Sequence, residues 1–374
     1  MTSVKPSTYL DHNATTAIRP GVISAVASVM AQTGNASSVH GAGRAARSIV
    51  EKAREQVAAL VGVTSPQVVF TSGATESNNA VFNAFKGQRI LVSAIEHPSV
   101  LESANGAEEI PVTQDGIVDI KAFEALLDKA NAPALISIML VNNETGVIQP
   151  IADLARLAKS KHPGIYIHCD AVQAAGRIPV NFQALQLDYM SLSAHKMGGP
   201  QGVGALISAP GAKPAKLLHG GGQEKRQRAG TENVAGIAGF GVAAEIAQKN
   251  IAAYEKLSAL RDKLEKSLKS LESTLIVLGE KSPRVANTSC VSLPGVSAQT
   301  LLMSLDLEGI AVSSGSACSS GTIKPSRVAC AMGLDSAAQS GVIRISLGWN
   351  SAPEDIDAFL AAWEKTAPRL KKSK

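Results

Sequence analysis

An α/β architecture is what this sequence predicts: a large domain with a mostly parallel central sheet between helices, joined to a smaller α+β domain. Three observations carry it. From about residue 45 to 250, strand-like apolar runs alternate with helical patterns, and such alternation builds a parallel sheet covered by helices. The strand runs are short and β-branched without a two-residue alternation, as strands covered on both faces are. Past residue 250 the order changes to a long amphipathic helix followed by two isolated strands.

Taken in order, the strand candidates are Val68–Thr71, Ile90–Ser93, Leu135–Val141, Ile165–Asp170, Tyr189–Ser193 and Ala205–Ser208, with helices such as Ala45–Val61, Glu76–Phe85 and Ile151–Ser160 between them. Ile251, Tyr254, Leu257, Leu260, Leu264, Leu268 and Leu271 recur at steps of three and four, the apolar stripe of one surface helix. Cys290–Leu293 and Val342–Leu347 read as strands separated by a loop and a helix. This places a boundary near residue 250, with residues 15–250 as the large domain and 1–14 plus 251–374 as the small one.

Composition narrows the function classes. The chain of 374 residues is 45% hydrophobic and 18% charged, which excludes disorder. Only 3% is aromatic, which argues against single-strand nucleic-acid binding by stacking. The net charge of +5 is a mild excess, and the basic tail Arg369, Lys371, Lys372, Lys374 reads as a solvated terminus. The N-terminal stretch has no apolar h-region, and no apolar run approaches the ~20 residues a membrane helix needs, so a cytoplasmic protein is expected. Four cysteines, Cys169, Cys290, Cys318 and Cys330, form no CxxC pair and no zinc spacing; they fit a reducing compartment and no metal site is expected. Cys169, Cys290 and Cys330 lie in apolar runs and read as core thiols. Cys318 lies in Ser313-Ser-Gly-Ser-Ala-Cys-Ser-Ser-Gly321, a small-residue stretch that reads as a mobile loop.

Four segments each follow a strand. Lys196, in Ser191-Leu-Ser-Ala-His-Lys-Met-Gly-Gly-Pro200, would stand at a strand's carboxyl end, where open α/β sheets bind ligands, and a desolvated amine there is a Schiff-base nucleophile. Asp170 ends an apolar strand and could pair with a cationic heterocyclic nitrogen such as that of pyridoxal phosphate (PLP). Thr71-Ser-Gly-Ala-Thr-Glu-Ser-Asn78 offers amides, hydroxyls and a helix N-terminus to a phosphate. His97, in Glu96-His-Pro98, could lie over a planar ring. Each alone has a plain alternative: a surface lysine, an Asp capping the next helix, an ordinary N-cap, a loop histidine. Together they make a set of ring, phosphate and Schiff-base partners.

With these motifs the sequence resembles the cysteine desulfurases of the NifS/IscS-like class, in the class V aminotransferase group of fold-type-I PLP enzymes. The resemblance runs from Tyr9-Leu-Asp-His-Asn-Ala-Thr-Thr16 to Arg344-Ile-Ser-Leu-Gly348, through Gly34-Asn-Ala-Ser-Ser-Val-His40, Asn142-Asn-Glu-Thr-Gly146, His219-Gly-Gly-Gly222 and Arg228-Ala-Gly-Thr231. It implies that Lys196 holds pyridoxal 5'-phosphate as a Schiff base and moves protons, that Asp170 bonds the pyridinium nitrogen, and that His97 stacks on the ring. It also implies that Gln173 contacts the ring hydroxyl and that Ala74, Thr75, Ser193 and His195 hold the phosphate, with Thr231 reaching the phosphate of the neighbouring subunit of a homodimer. Asn143 and Arg344 would hold the substrate carboxylate. Ala194 and Lys225 depart mildly from the family, which often has glycine and arginine there.

The reaction so implied takes sulfur from L-cysteine: Cys318 thiolate attacks the substrate sulfur, keeps it as a persulfide and releases alanine. An iron–sulfur scaffold protein would then accept the sulfur. A selenocysteine lyase or an aminotransferase on the same scaffold is the alternative; an aminotransferase does not need Cys318.

Overall fold

The structure, a computed structural model, describes residues 8–314 and 326–372. The first described element is a two-residue strand, β1 (Thr8–Tyr9). Seven strands then make one sheet: β2 (Val68–Thr71), β3 (Ile90–Ser93), β4 (Glu108–Ile110), β5 (Leu135–Ser137), β6 (Tyr166–Asp170), β7 (Tyr189–Ser193) and β8 (Gly204–Ser208). Their spatial order is β2-β8-β7-β6-β5-β3-β4. β8 is antiparallel to both β2 and β7, while β7, β6, β5, β3 and β4 pair in parallel. The sheet is therefore mixed, with β8 alone reversed, and β2, β3, β5, β6 and β7 all send their carboxyl ends to one edge. That edge is where open α/β sheets bind ligands.

The fifth strand is shorter than the apolar run Leu135–Val141 implied. Its neighbour β3 ends at Ser93, and beyond that point the Glu96 carboxylate takes the Met139 N–H at 2.6 Å in place of a strand partner. Around the sheet, the helix Gly41–Leu60 packs on Val234–Lys249, which also packs on Pro20–Met30. Gly241 permits this closeness, since a Cβ there would lie 2.6 Å from Ala53 Cα. Val57, Leu91, Phe123, Leu127, Met190 and Phe240 belong to the core so formed, each large side chain contributing about 1.5–3 kcal/mol by burial.

The later strands are β9 (Ile276–Val277), β10 (Thr288–Ser292), β11 (Ile310–Ala311) and β12 (Val342–Ser346). β10 lies between β12 and β9, antiparallel to both, and β1 pairs in parallel with β11. A second core covers this sheet: Leu10, Leu264, Leu268, Leu301, Ile345, Phe359 and Trp363. The amphipathic run from 251 to 271 forms two helices rather than one, Ile251–Glu255 and Ser258–Leu271; Leu257, Leu264 and Leu268 are buried, Leu260 is half-buried and Leu271 is exposed. Cys169 and Cys290 are core thiols, and burial pushes both thiols' pKa up. Cys330 corrects the sequence reading: it is exposed. The five-residue helix Arg327–Ala331 turns Val328 and Ala329 inward, which leaves Cys330 on the outer side. Among the described residues no helix is long and apolar enough to cross a membrane.

Candidate active site

At the carboxyl edge of the seven-stranded sheet lies a cavity of about 620 Å³. Its lining includes Ala74, Thr75, His97, Asn143, Asp170, Gln173, Ser193, His195, Lys196 and Arg344, so ten sequence-named residues meet there from segments far apart in the chain. Thr231 is exposed and lines an adjoining pocket instead, with Phe70, Thr71 and Arg228. Cys318 lies outside the described residues.

Each side chain is set by the element that carries it. Asp170 is the last residue of β6; its Oδ1 accepts the Val172 N–H at 3.0 Å and its Oδ2 an amide N–H of Asn78 at 3.0 Å. Asn78 also donates to Ser99 Oγ at 2.9 Å, and Ser99 Oγ lies 2.8 Å from His97 Nδ1. The Ser99 backbone N–H donates to the same Nδ1 at 3.1 Å. A nitrogen that accepts an N–H carries no proton, so the neutral His97 ring is protonated at Nε2. Burial lowers the His97 pKa, with Asp170 opposing and the Lys196 and Arg344 charges adding to the fall. The imidazole is thus held neutral and in a fixed plane beside Asp170.

Lys196 follows β7 in the short turn Ala194–Lys196. Its Nζ donates to the backbone carbonyls of Asn13 at 2.6 Å and Ala14 at 2.7 Å. The neighbouring His195 has Nδ1 3.2 Å from Thr15 Oγ1, and burial, then the Lys196 charge, push its pKa down to about 4. Ala194 is buried without strain in this turn, its N–H donating to Val203 O at 3.2 Å.

Across the cavity the helix Ala74–Ala84 begins behind Gly73 with no side-chain cap on its first-turn amides. A Cβ placed on Gly73 would meet nothing within 4 Å, so the helix N-terminus opens onto free space where an anion is favoured. Arg228 is tied to this turn: its Nε and Nη2 donate to the two oxygens of Glu76 at 2.9 and 3.2 Å.

The opposite wall belongs to the second sheet. Arg344, on β12, donates from Nη2 to Asp11 Oδ1 at 2.6 Å and from Nη1 to Asn143 O at 3.1 Å. Arg344 is thus ion-paired with Asp11, yet it also lines the cavity, and its buried Nε has no hydrogen-bond partner among the described residues.

PLP fits these residues. The acidic strand end, the neutral imidazole, the amine and the uncapped helix N-terminus match its pyridinium, ring, aldehyde and phosphate. The buried Gln173 Oε1 has no partner among the described residues, which leaves an acceptor for the ring hydroxyl. Asn13, Asn78, Ser99, Asp11 and Glu96 were not singled out by sequence reasoning. Asn13, Asp11, Asn78 and Glu96 sit inside quoted motifs, but only contacts across the fold reveal their roles.

The aminotransferase class-V family model matches residues 8–359. The chain belongs to the class-V aminotransferase family. It is 41% identical to a cysteine desulfurase IscS from Dictyoglomus turgidum over 98% of this chain and 96% of that one. The crystal structure of a NifS-like protein from Rickettsia africae superposes with a TM-score of 0.90 at 39% identity, covering 97% of this chain and 99% of that chain. A second structure, SspA in complex with cysteine, matches with a TM-score of 0.78 at 28% identity over 92% of this chain and 99% of that one. Class-V membership agrees with the α/β fold and with the family resemblance read from the sequence.

Proposed function

We propose that this chain is a PLP-dependent cysteine desulfurase that takes sulfur from L-cysteine, releases L-alanine and passes the sulfur on from Cys318. Relatives named cysteine desulfurase match nearly the whole chain at 37–41% identity. The observation that carries the assignment of roles is the convergence of Lys196, Asp170, His97, Gln173 and the helix N-terminus at Gly73 on one cavity.

PLP, when bound, supplies an electron sink for the pair left when the substrate's α-C–H bond breaks. The chain's own residues do the rest. Asp170, fixed by Asn78 and the Val172 amide, keeps the ring nitrogen protonated. The neutral His97, on the cavity wall, would serve as the stacking partner of the ring. Ala74, Thr75, Ser193 and His195 hold the phosphate at the uncapped helix end, and Gln173 accepts from the ring hydroxyl. Arg344 and Asn143 orient the substrate carboxylate, a task that suits a guanidinium's planar fork. Lys196 anchors the cofactor and carries the α-proton. Cys318 attacks as the thiolate: a sulfur–sulfur bond forms, the substrate's carbon–sulfur bond breaks, and a persulfide is left on the enzyme.

Residues 15–250 would act as the cofactor-binding unit, and 1–14 with 251–374 as the unit that carries Cys318; the separate cores around the two sheets support this division. The exposed Thr231, outside the cavity lining, suits a residue that serves the neighbouring subunit of a homodimer. An iron–sulfur scaffold protein in the cytoplasm is the proposed acceptor.

Two variants test the reading. Cys318→Ser is expected to keep the yellow absorbance of bound PLP and to lose sulfide and alanine release from cysteine; Lys196→Ala is expected to lose the absorbance as well. A Cys318→Ser enzyme that desulfurates at the wild-type rate rules out the persulfide route.

A further inference from the structure

The segment Tyr9–Thr16 stands out in the sequence, yet the reaction as described uses none of its side chains. Asn13, at its centre, is buried, and every polar atom it has is engaged. Its backbone carbonyl accepts from Lys196 Nζ at 2.6 Å and from Gln173 Nε2 at 3.0 Å. Its Oδ1 accepts from Arg177 Nη1 at 2.7 Å and from Asn287 Nδ2 at 3.0 Å. Its Nδ2 donates to Thr288 Oγ1 at 2.9 Å and to Asn143 O at 3.2 Å, and its N–H donates to Ser346 Oγ at 2.9 Å. One residue thereby joins the reactive amine, the group facing the ring hydroxyl, the turn that would hold the substrate and two strands of the second sheet.

We propose that Asn13 is a positioning residue for Lys196: its side chain locks the Asn13–Ala14 backbone so that two carbonyls form the resting place of the lysine amine. The proposal rests on the desulfurase reading for the role of the amine, though not for the geometry. A carbonyl placed by six other hydrogen bonds cannot drift, and a displacement of about 1 Å at a reacting group costs on the order of a hundred-fold in rate. Arg177 shows how tightly the side chain is needed. It is a buried guanidinium whose Nε and Nη2 have no hydrogen-bond partner among the described residues, so Asn13 Oδ1 is the acceptor that meets it. The charged and titratable groups around the amine are Asp170, His97 and Arg344 on the cavity wall, His195 beside it, and Arg177 behind Asn13.

Two substitutions separate positioning from mere support. Asn13→Ala removes all four side-chain bonds. Asn13→Ser adds no charge beside the amine, but its short hydroxyl cannot meet Arg177, Asn287, Thr288 and Asn143 at once; it decides the matter where Asn13→Ala does not fold. In the holoenzyme, Asn13→Ser is expected to lower kcat for cysteine about ten- to a hundred-fold. In the apoprotein, trace acetylation of Lys196 by acetic anhydride, followed against pH by peptide mass spectrometry, is expected to move about one unit to lower pH, because displaced carbonyls no longer favour the ammonium form. Wild-type kcat with a wild-type labelling profile in Asn13→Ser overturns the proposal. So does a kcat loss that accompanies a lowered Tm while the labelling profile stays put, since that describes a structural residue. The labelling needs no cofactor, so it judges Asn13 even in the case that defeats the desulfurase reading instead: a wild-type chain that takes up no PLP.

Discussion

Glu96 precedes His97 and is wholly enclosed, and the two residues show how differently neighbours can be charged. Glu96 Oε1 accepts the Met139 N–H at 2.6 Å, while Oε2 is buried without a hydrogen-bond partner among the described residues. Burial first, then the Asp170 charge, raise its pKa well above the usual value, against the one bond from Met139. A group whose folded-state pKa is raised stabilises the fold below its unfolded pKa and loses that contribution as pH rises toward the folded value. Glu96→Gln keeps the acceptor for Met139 and cannot ionise. The variant is therefore expected to match the wild type in Tm near about pH 5 and to exceed it increasingly above that, as thermal unfolding across pH would show; a constant Tm difference at all pH would refute it. His12, His168 and His195 act in the opposite sense. Burial drives each to about 4 from 6.5, so they favour the fold above pH 6.5 and that contribution is lost as pH falls toward 4. None of this is visible in composition, because it depends on which side chains the fold encloses.

Strands of the large sheet were legible as elements because covered parallel strands are β-branched and uninterrupted: Val68–Thr71, Ile90–Ser93 and Tyr189–Ser193 have the expected ends. β4 was not among the strands expected, since Glu108 and Glu109 interrupt the apolar pattern. An edge strand tolerates such charge, and here Glu108 pairs with Arg89 and Lys129. A second illegible element is the turn Glu224-Lys225-Arg226, where three successive non-glycine residues have φ of 43°, 55° and 64°. Left-handed backbone costs roughly 1–2 kcal/mol per such residue, and an opposing contact must hold it. That contact is a buried fork: Arg54 Nη1 and Nη2 donate to the Glu224 oxygens at 2.7 and 2.8 Å, and the Phe70 N–H adds a third bond at 2.8 Å. The turn is thereby pinned to β2, and Arg228 beyond it to the helix that opens the cavity. Arg226 is exposed, so Arg226→Gly is expected to relieve the backbone and gain about 0.5–1 kcal/mol. Glu224→Gln removes the buried carboxylate of the fork, leaves Arg54 only the half-exposed Glu51 as a charge partner, and is expected to lose about 3–5 kcal/mol. Chemical unfolding of both variants checks the pair; a destabilised Arg226→Gly would mean that the arginine side chain, rather than the fork, holds the turn.

At the scale of the whole molecule, the site lies where the two sheets meet, and the first residues of the described chain stitch them together. β1 pairs with β11, Leu10 enters the second core, Asp11 bridges to Ser346, and Thr16 N–H donates to His195 O at 3.2 Å. Lys196, Asp170 and His97 were legible from the sequence because each follows a recognisable strand. Asp11 and Asn13 were not, because their partners lie as far as 333 residues away, and no local pattern encodes such a bond. The seam makes a distinct demand on Asp11. Its Oδ1 takes Arg344 Nη2 at 2.6 Å while Asn143 O takes Nη1, so the guanidinium plane is fixed from two sides at the wall of the cavity that Arg344 lines. A charge-assisted bond of this kind contributes about 1.5–3 kcal/mol. Asp11→Asn weakens it without touching Lys196, so binding is expected to suffer more than chemistry: KM for cysteine rises roughly ten-fold, with a smaller change in kcat. Arg344→Lys is expected to raise KM too, because an ammonium cannot span Asp11, Asn143 and a carboxylate at once. Steady-state kinetics of the two variants decide it, and an unchanged KM in Asp11→Asn would mean that Arg344 is oriented by its strand alone.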